Sequence, residues 1–153
     1  MLDDLNCEGL GIEVDFSLPA LRVVRSLNQI IERRGTLQVI RVENGTEYVS
    51  GLLKTWAEAR DIHIKYIQPG KPQQKAYIER YNRTVGLEWL DQNIFETIKE
   101  AQDQATEWLS TYSNERSNIA IEGITPAIKL KMATWFYKQT PLKMRGLPRN
   151  IFT

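Results

Sequence analysis

Between Gly9 and Ile67 the hydrophobic pattern changes period again and again, and this alternation restricts the fold more than any other property of the chain. Residues 9–16 (GLGIEVDF) set Leu10, Ile12, Val14 and Phe16 against Gly11, Glu13 and Asp15, the period-two pattern of a half-buried strand. Ser17 or Leu18 then stands at a helix cap with Pro19 near the first turn. Leu21, Val24, Leu27, Ile30 and Ile31 follow at helical spacing up to Gly35. Residues 37–42 (LQVIRV) predict a second strand, closed by the turn-forming Asn44-Gly45 pair. Residues 48–60 predict a helix with Leu52, Leu53 and Trp56 on one stripe, and residues 62–67 (IHIKYI) a third strand. A β-α-β-α-β order of such short elements implies an α/β layer structure, with right-handed crossovers where the strands are parallel. Beyond the break at residues 68–74 (QPGKPQQ), helices are expected over 75–91, 96–112 and 126–135.

With 153 residues the chain suits one domain, and 42% hydrophobic with 25% charged residues argues against a disordered, collagen-like or disulfide-framework protein. No run approaches the ~18 apolar residues of a membrane span, and the first residues lack the basic and apolar regions of a signal peptide, so the cytoplasm is the expected location. The single Cys7 excludes an internal disulfide and a cysteine-based zinc site. The net charge of +1 conceals an uneven distribution, −3 over residues 1–64, +4 over 65–86, −6 over 87–126 and +6 over 127–153. Each basic segment is either a solvated Lys/Arg face or a contact for a polyanion. Residues 136–153, with Pro141 and Pro148, are expected to form a loose basic tail behind a core of residues 1–135.

Two carboxylates stand at informative places, Glu43 at the end of the second predicted strand and Glu79 one turn into the following helix. Strand ends of open α/β sheets are where ligands bind, and a helix carboxylate facing such an end can share a divalent cation with it. The same arrangement serves two-metal phosphoryl transfer. Spacing alone also fits a plainer reading, because Lys75 and Arg83 lie four residues either side of Glu79, as in an ion-paired solvated helix face. His63 is expected on a strand surface, Cys7 as an incidental thiol, Trp56, Trp89 and Trp108 on packing stripes, and Tyr77 with Tyr81 in the core.

Three segments decide between these readings: RVENGTEYVS (41–50), YIQPGKPQQKAYIERYNRTVGLEWL (66–90) and YSNERSNIAIEGITPAIKL (112–130). Together they resemble the catalytic domain of bacterial insertion-sequence transposases of the OrfB type, within the retroviral-integrase-like DDE superfamily. The likeness also takes in residues 2–20, which are similar to the family's second strand and following turn. It implies an RNase H-like fold, a mixed sheet flanked by helices, here lacking its first strand. It also implies a site in which three carboxylates hold two Mg²⁺ or Mn²⁺ ions for DNA cleavage and strand transfer. Glu79 matches the family's glutamate, and Glu43 stands where the family has its second aspartate, one methylene longer. Mg²⁺ demands near-ideal octahedral geometry, so that extra carbon matters. The family's first aspartate belongs to a strand preceding residues 2–20, and neither Asp3, Asp4 nor Asp15 aligns with it.

The resemblance therefore implies a transposase or integrase core for DNA transposition by metal-dependent phosphoryl transfer, inactive in this chain on its own. Glu43 and Glu79 would be the catalytic and metal-ligating residues, with a third carboxylate from outside, the alternative being that this chain binds no ion. Lys71, Lys75, Arg80, Asn82 and Arg83 would contact DNA, since phosphate binding needs positive charge on one face and not a tuned metal site. The alternative is a non-enzymatic DNA-binding or oligomerising remnant that modulates an intact transposase. Expected partners are DNA, further copies of the chain and the intact enzyme, at the bacterial nucleoid and not at a membrane.

Overall fold

The computed structural model describes residues 1–4, 6–42, 51–67, 72–139 and 150–152. Its elements run β1 (Leu2–Asp3), α1 (Ala20–Arg34), β2 (Val39–Val42), α2 (Gly51–Glu58), β3 (His63–Tyr66), α3 (Pro72–Glu88), α4 (Ile98–Asn114), α5 (Pro126–Gln139) and β4 (Asn150–Phe152). The β-α-β-α-β order is present as β1-α1-β2-α2-β3, but the first strand is not where the alternating residues put it.

Residues 10–16 make no strand, although Leu10 is buried: Leu10 N and Gly11 O still bond to Met1, but from Ile12 onward no strand among the described residues lies alongside to continue a ladder. The Gln102 side chain of α4 takes that place, accepting from Val14 N at 3.0 Å and donating Nε2 to Ile12 O at 2.8 Å. Alternation reports which side chains face the core, and pairing needs a partner that this segment lacks. Phe16, at the end of the alternating run, is 95% exposed. Strand β1 lies earlier and folds against residues 8–10, with Asp3 N donating to Glu8 O and Leu10 N to Met1 O, both at 2.9 Å.

The sheet has the order β1-β4-β2-β3. Strands β2 and β3 are parallel, with Ile40 opposite Ile64. Strand β4 is parallel to β2, with Ile40 opposite Ile151, and antiparallel to β1, with Leu2 opposite Phe152. The chain's last described residues thus sit inside the sheet, where the composition of a loose basic tail gave no sign of them. Helix α5 likewise continues to Gln139, beyond the expected end at 135.

Helix α1 buries Val23, Val24, Leu27 and Ile30, spaced by three and four residues, against Leu37, Ile40, Val42, Leu53 and Trp56. It ends where Gly35, at φ 86°, takes a conformation that a Cβ would oppose, its N–H donating to Ile31 O at 2.8 Å. Arg33 and Arg34 complement the negative end of the helix dipole. A second cluster joins Leu2, Ile67, Ile78, Tyr81 and Tyr112, with Val85, Trp108 and Leu109 packed on it. Helix α4 starts at Ile98, not at Glu96, because the Thr97 side chain accepts from Glu100 N at 3.1 Å while the Glu100 carboxylate accepts from Glu96 N at 3.0 Å. These reciprocal bonds satisfy donors that the first turn leaves open.

Candidate functional site

Helix α3 carries most of the described candidate residues, and its inner face explains how they are held. Ile78, Tyr81 and Trp89 are buried, with Val85 half-buried between them, and the recurrence of three to four residues turns one stripe of the helix to the core. The Tyr81 ring stands edge-on to Tyr112, centroids 5.2 Å apart, and tilted to Trp108 at 6.3 Å. These contacts fix the roll of α3 and thereby the direction of everything on its outer face. Tyr77 differs from its neighbour and is exposed.

Glu79, Arg80, Asn82 and Arg83 are all exposed. They do not share one direction. Asn82 borders a cleft of about 240 Å³ whose walls include Gly11, Ile12, Glu13 and Ile78. Arg80 borders another, about 210 Å³, with Thr84, Tyr112, Arg116, Ser117 and Asn118. At 3.6 residues per turn, residues two apart point to opposite sides of a helix, which separates Arg80 from Asn82 and leaves Glu79 and Arg83 between. Arg116 joins Arg80 at the second cleft, where it pairs with Glu88 and lies 5.9 Å over the Tyr112 ring. No spacing rule in the sequence links Arg116 to α3, since the bend after α4 brings it there.

Glu43 and Lys71 lie outside the described residues, and Lys75 belongs to α3 without a described side chain. Glu43 follows directly on Val42, the last residue of β2. Near that end, Asp4 pairs with Arg41 at 3.2 Å. Asp15 pairs with Arg22, and Asp3 accepts from Asn6 N at 3.3 Å. Each aspartate near the start of the chain is therefore already engaged. Among the described residues, which do not include Glu43, no three His, Cys, Asp or Glu side chains converge to hold a metal ion.

The thiol of Cys7 is buried and its pKa is raised by burial and by the nearby Asp4 and Asp3 carboxylates, the opposite of an activated nucleophile. Burial also pushes the Tyr112 phenol up to about 12 and raises that of Tyr81, whose hydroxyl has no hydrogen-bond partner among the described residues. His63 is exposed on β3. No helix among the described residues is long and apolar enough to cross a membrane.

The integrase core domain family matches residues 60–126, which span β3, α3 and α4. Over 127 residues, 83% of the chain, the sequence is 33% identical to the insertion element IS407 uncharacterized 31.7 kDa protein of Burkholderia multivorans, covering 46% of it. It is 32% identical over the same length to the insertion element IS476 uncharacterized 39.2 kDa protein of Xanthomonas euvesicatoria, covering 37%. The chain thus carries an integrase core domain segment and is similar over most of its length to insertion-element proteins. It spans less than half the length of these curated relatives.

Among solved structures, the catalytic core domain of BIV integrase aligns with a TM-score of 0.57 at 24% identity, over 78% of this chain and 76% of that one. A chain of the simian T-cell lymphotropic virus intasome in complex with PP2A regulatory subunit B56 gamma aligns at 0.53 and 20%, over 68% and 37%. These likenesses establish the fold as that of an RNase H-like integrase core. Within it, the family match covers Glu79, Arg80, Asn82 and Arg83 but not Glu43.

Proposed function

We propose that this chain is a DNA-binding integrase core of an insertion element, which engages DNA through the outer face of α3 and does not complete phosphoryl transfer on its own. Arg80 and Arg83, with Lys71 and Lys75, would neutralise phosphates, and Asn82 would add a hydrogen bond at the edge of the cleft it borders. Glu43 and Glu79 would be two members of a carboxylate set whose third member the described residues do not contain. DNA transposition is the process in which such a core takes part, with further copies or an intact transposase as partners.

The observation that carries this reading is the exposure of Glu79, Arg80, Asn82 and Arg83 on α3, away from its buried stripe of Ile78 and Tyr81. Charge on one face suffices for phosphate binding, and catalysis requires ligands placed to within a fraction of an ångström. The test is incubation of the full chain with labelled duplex DNA in Mg²⁺ or Mn²⁺. Retained DNA without nicks or joined products is expected. Cleavage that disappears in Glu79→Gln would overturn the proposed inactivity, and absence of DNA retention at low salt would overturn the binding role.

A further inference from the structure

The bend after α4 brings a second guanidinium, that of Arg116, to the side of α3 that carries Arg80. The cleft of about 210 Å³ where they meet also includes the Thr84 and Ser117 side chains, and no carboxylate is among the described residues that line it. The cleft beside Asn82 differs in including Glu13, and a third of about 220 Å³ between α1 and α4 sets Glu8 beside Arg33 and Arg34. Arg80 pairs with no carboxylate among the described residues. Two like charges set into one wall repel each other, and an anion between them relieves the repulsion.

The wall opposite α3 is held in place by its own bonds. Arg116 N donates to Thr111 O at 3.2 Å, at the end of α4, and Asn118 N donates to Ile124 O at 2.9 Å. The Asn118 side chain accepts from Ala120 N at 2.9 Å and donates to the Tyr112 hydroxyl at 3.4 Å. The Arg116 guanidinium lies 5.9 Å from the centre of the Tyr112 ring, which packs in turn on Tyr81 of α3. Arg116 is therefore presented from a fixed backbone, which lowers the ordering cost of binding there.

Glu88 acts against that presentation. It is the last residue of α3, where a carboxylate opposes the helix dipole, and it pairs with Arg116 without itself lining the cleft. The side chains of the pair are 43% and 38% exposed. Exposed ion pairs are weak and screened by salt, so a phosphate that engages two guanidiniums can draw Arg116 away from Glu88.

We propose that this cleft is a phosphate site in which Arg116 joins Arg80, that the phosphate is one of bound DNA, and that Glu88 lowers the occupancy of the site by competing for the Arg116 guanidinium. The identity of the ligand rests on the DNA-binding role proposed above, and the site extends that contact from α3 to the end of α4.

Fluorescence anisotropy of a labelled duplex with the full 153-residue chain over a chloride series tests the site. Arg116→Gln should weaken binding at low salt and make the slope of log affinity against log salt shallower by about 0.9, the value for one phosphate contact. Glu88→Gln should bind about threefold more tightly, and the gain should vanish when Arg116→Gln is also present. Glu107→Gln, which removes an equal charge from α4 outside this cleft, should change affinity by less than about twofold. Misfolding does not produce tighter binding, so the contrast between Glu88→Gln and Glu107→Gln decides the question even if Arg116→Gln is unstable. An unchanged slope in Arg116→Gln, or an equal gain from Glu88→Gln with and without Arg116, would overturn the proposal. Inorganic phosphate, exchanged for chloride at matched ionic strength, should shift the side-chain Nε–H resonances of Arg80 and Arg116, and more strongly in Glu88→Gln. Such shifts combined with duplex binding indifferent to Arg116→Gln would overturn the assignment to DNA in favour of a free phosphate ligand. With no duplex binding at low salt the DNA-binding role falls by itself, and the phosphate titration then decides the cleft: movement of both resonances supports the site and movement of neither overturns it.

Discussion

Gly9 illustrates how a single residue sets the distance between layers. A Cβ at this position would lie 2.9 Å from the Tyr81 hydroxyl and would collide with Leu109, so β1 and its return segment approach α3 and α4 only because no side chain intervenes. Gly9→Ala is expected to destabilise the chain by about 1–3 kcal/mol, the range for overpacking a closed core, as measured by urea denaturation. Tyr81 and Tyr112 give the same region a pH signature. Both phenols titrate higher in the folded chain than the ordinary value near 10, Tyr112 at about 12, so the unfolded chain releases its protons first. Their contribution is complete below about pH 10 and is lost as pH rises from there through about 12. The denaturation midpoint should therefore be insensitive to these groups up to about pH 10 and fall beyond it, and Tyr112→Phe should make the alkaline fall shallower. At this scale the sequence was informative in part. Tyr81 followed from its spacing on a helix, whereas the exposure of Tyr77, one turn earlier, depends on where α3 meets α4.

Among the elements, helices were legible because their stripes and caps are local, and strands less so because pairing is not. The stripe of α1 and its stop at Gly35 are visible in the residues themselves. The alternation of residues 9–16 is equally clear, yet the segment is held by the Gln102 side chain from a distant helix and not by another strand. Gln102→Ala should release this hold, seen as faster exchange of the Val14 amide with little change in the helix content of α4. The cap of α4 is a separate test. Thr97→Ala should cost about 1 kcal/mol, as removal of a side-chain cap generally does, and should fray the first turn before the rest of the helix. Strand β4 was invisible for the same physical reason as the Gln102 contact. Three residues in a basic, proline-containing end carry no period, and only the unfilled position between β1 and β2 gives them a place.

For the whole molecule, the proposed DNA contact rests on how one helix is presented by two packed clusters. Aromatic contacts among Tyr81, Trp108 and Tyr112 set the roll of α3, and the outer face then carries its charges toward solvent. The family resemblance of this helix was readable from the PGKPQQ and IERYNR segments, and the integrase core domain match covers both. The opposite directions of Arg80 and Asn82 follow from their two-residue spacing on a helix, but the clefts they border were not readable, because Gly11, Glu13, Tyr112 and Arg116 come to α3 from distant parts of the chain. The electrostatic binding of DNA proposed for this face is tested by the salt dependence of binding to a labelled duplex. For each phosphate contact removed, the slope of log affinity against log salt should become shallower by about 0.9. Steep salt dependence is expected for the unaltered chain, with a slope reduced by about two contacts in the Arg80→Gln, Arg83→Gln double variant. A slope unchanged by the double substitution, or no binding at low salt, would contradict it.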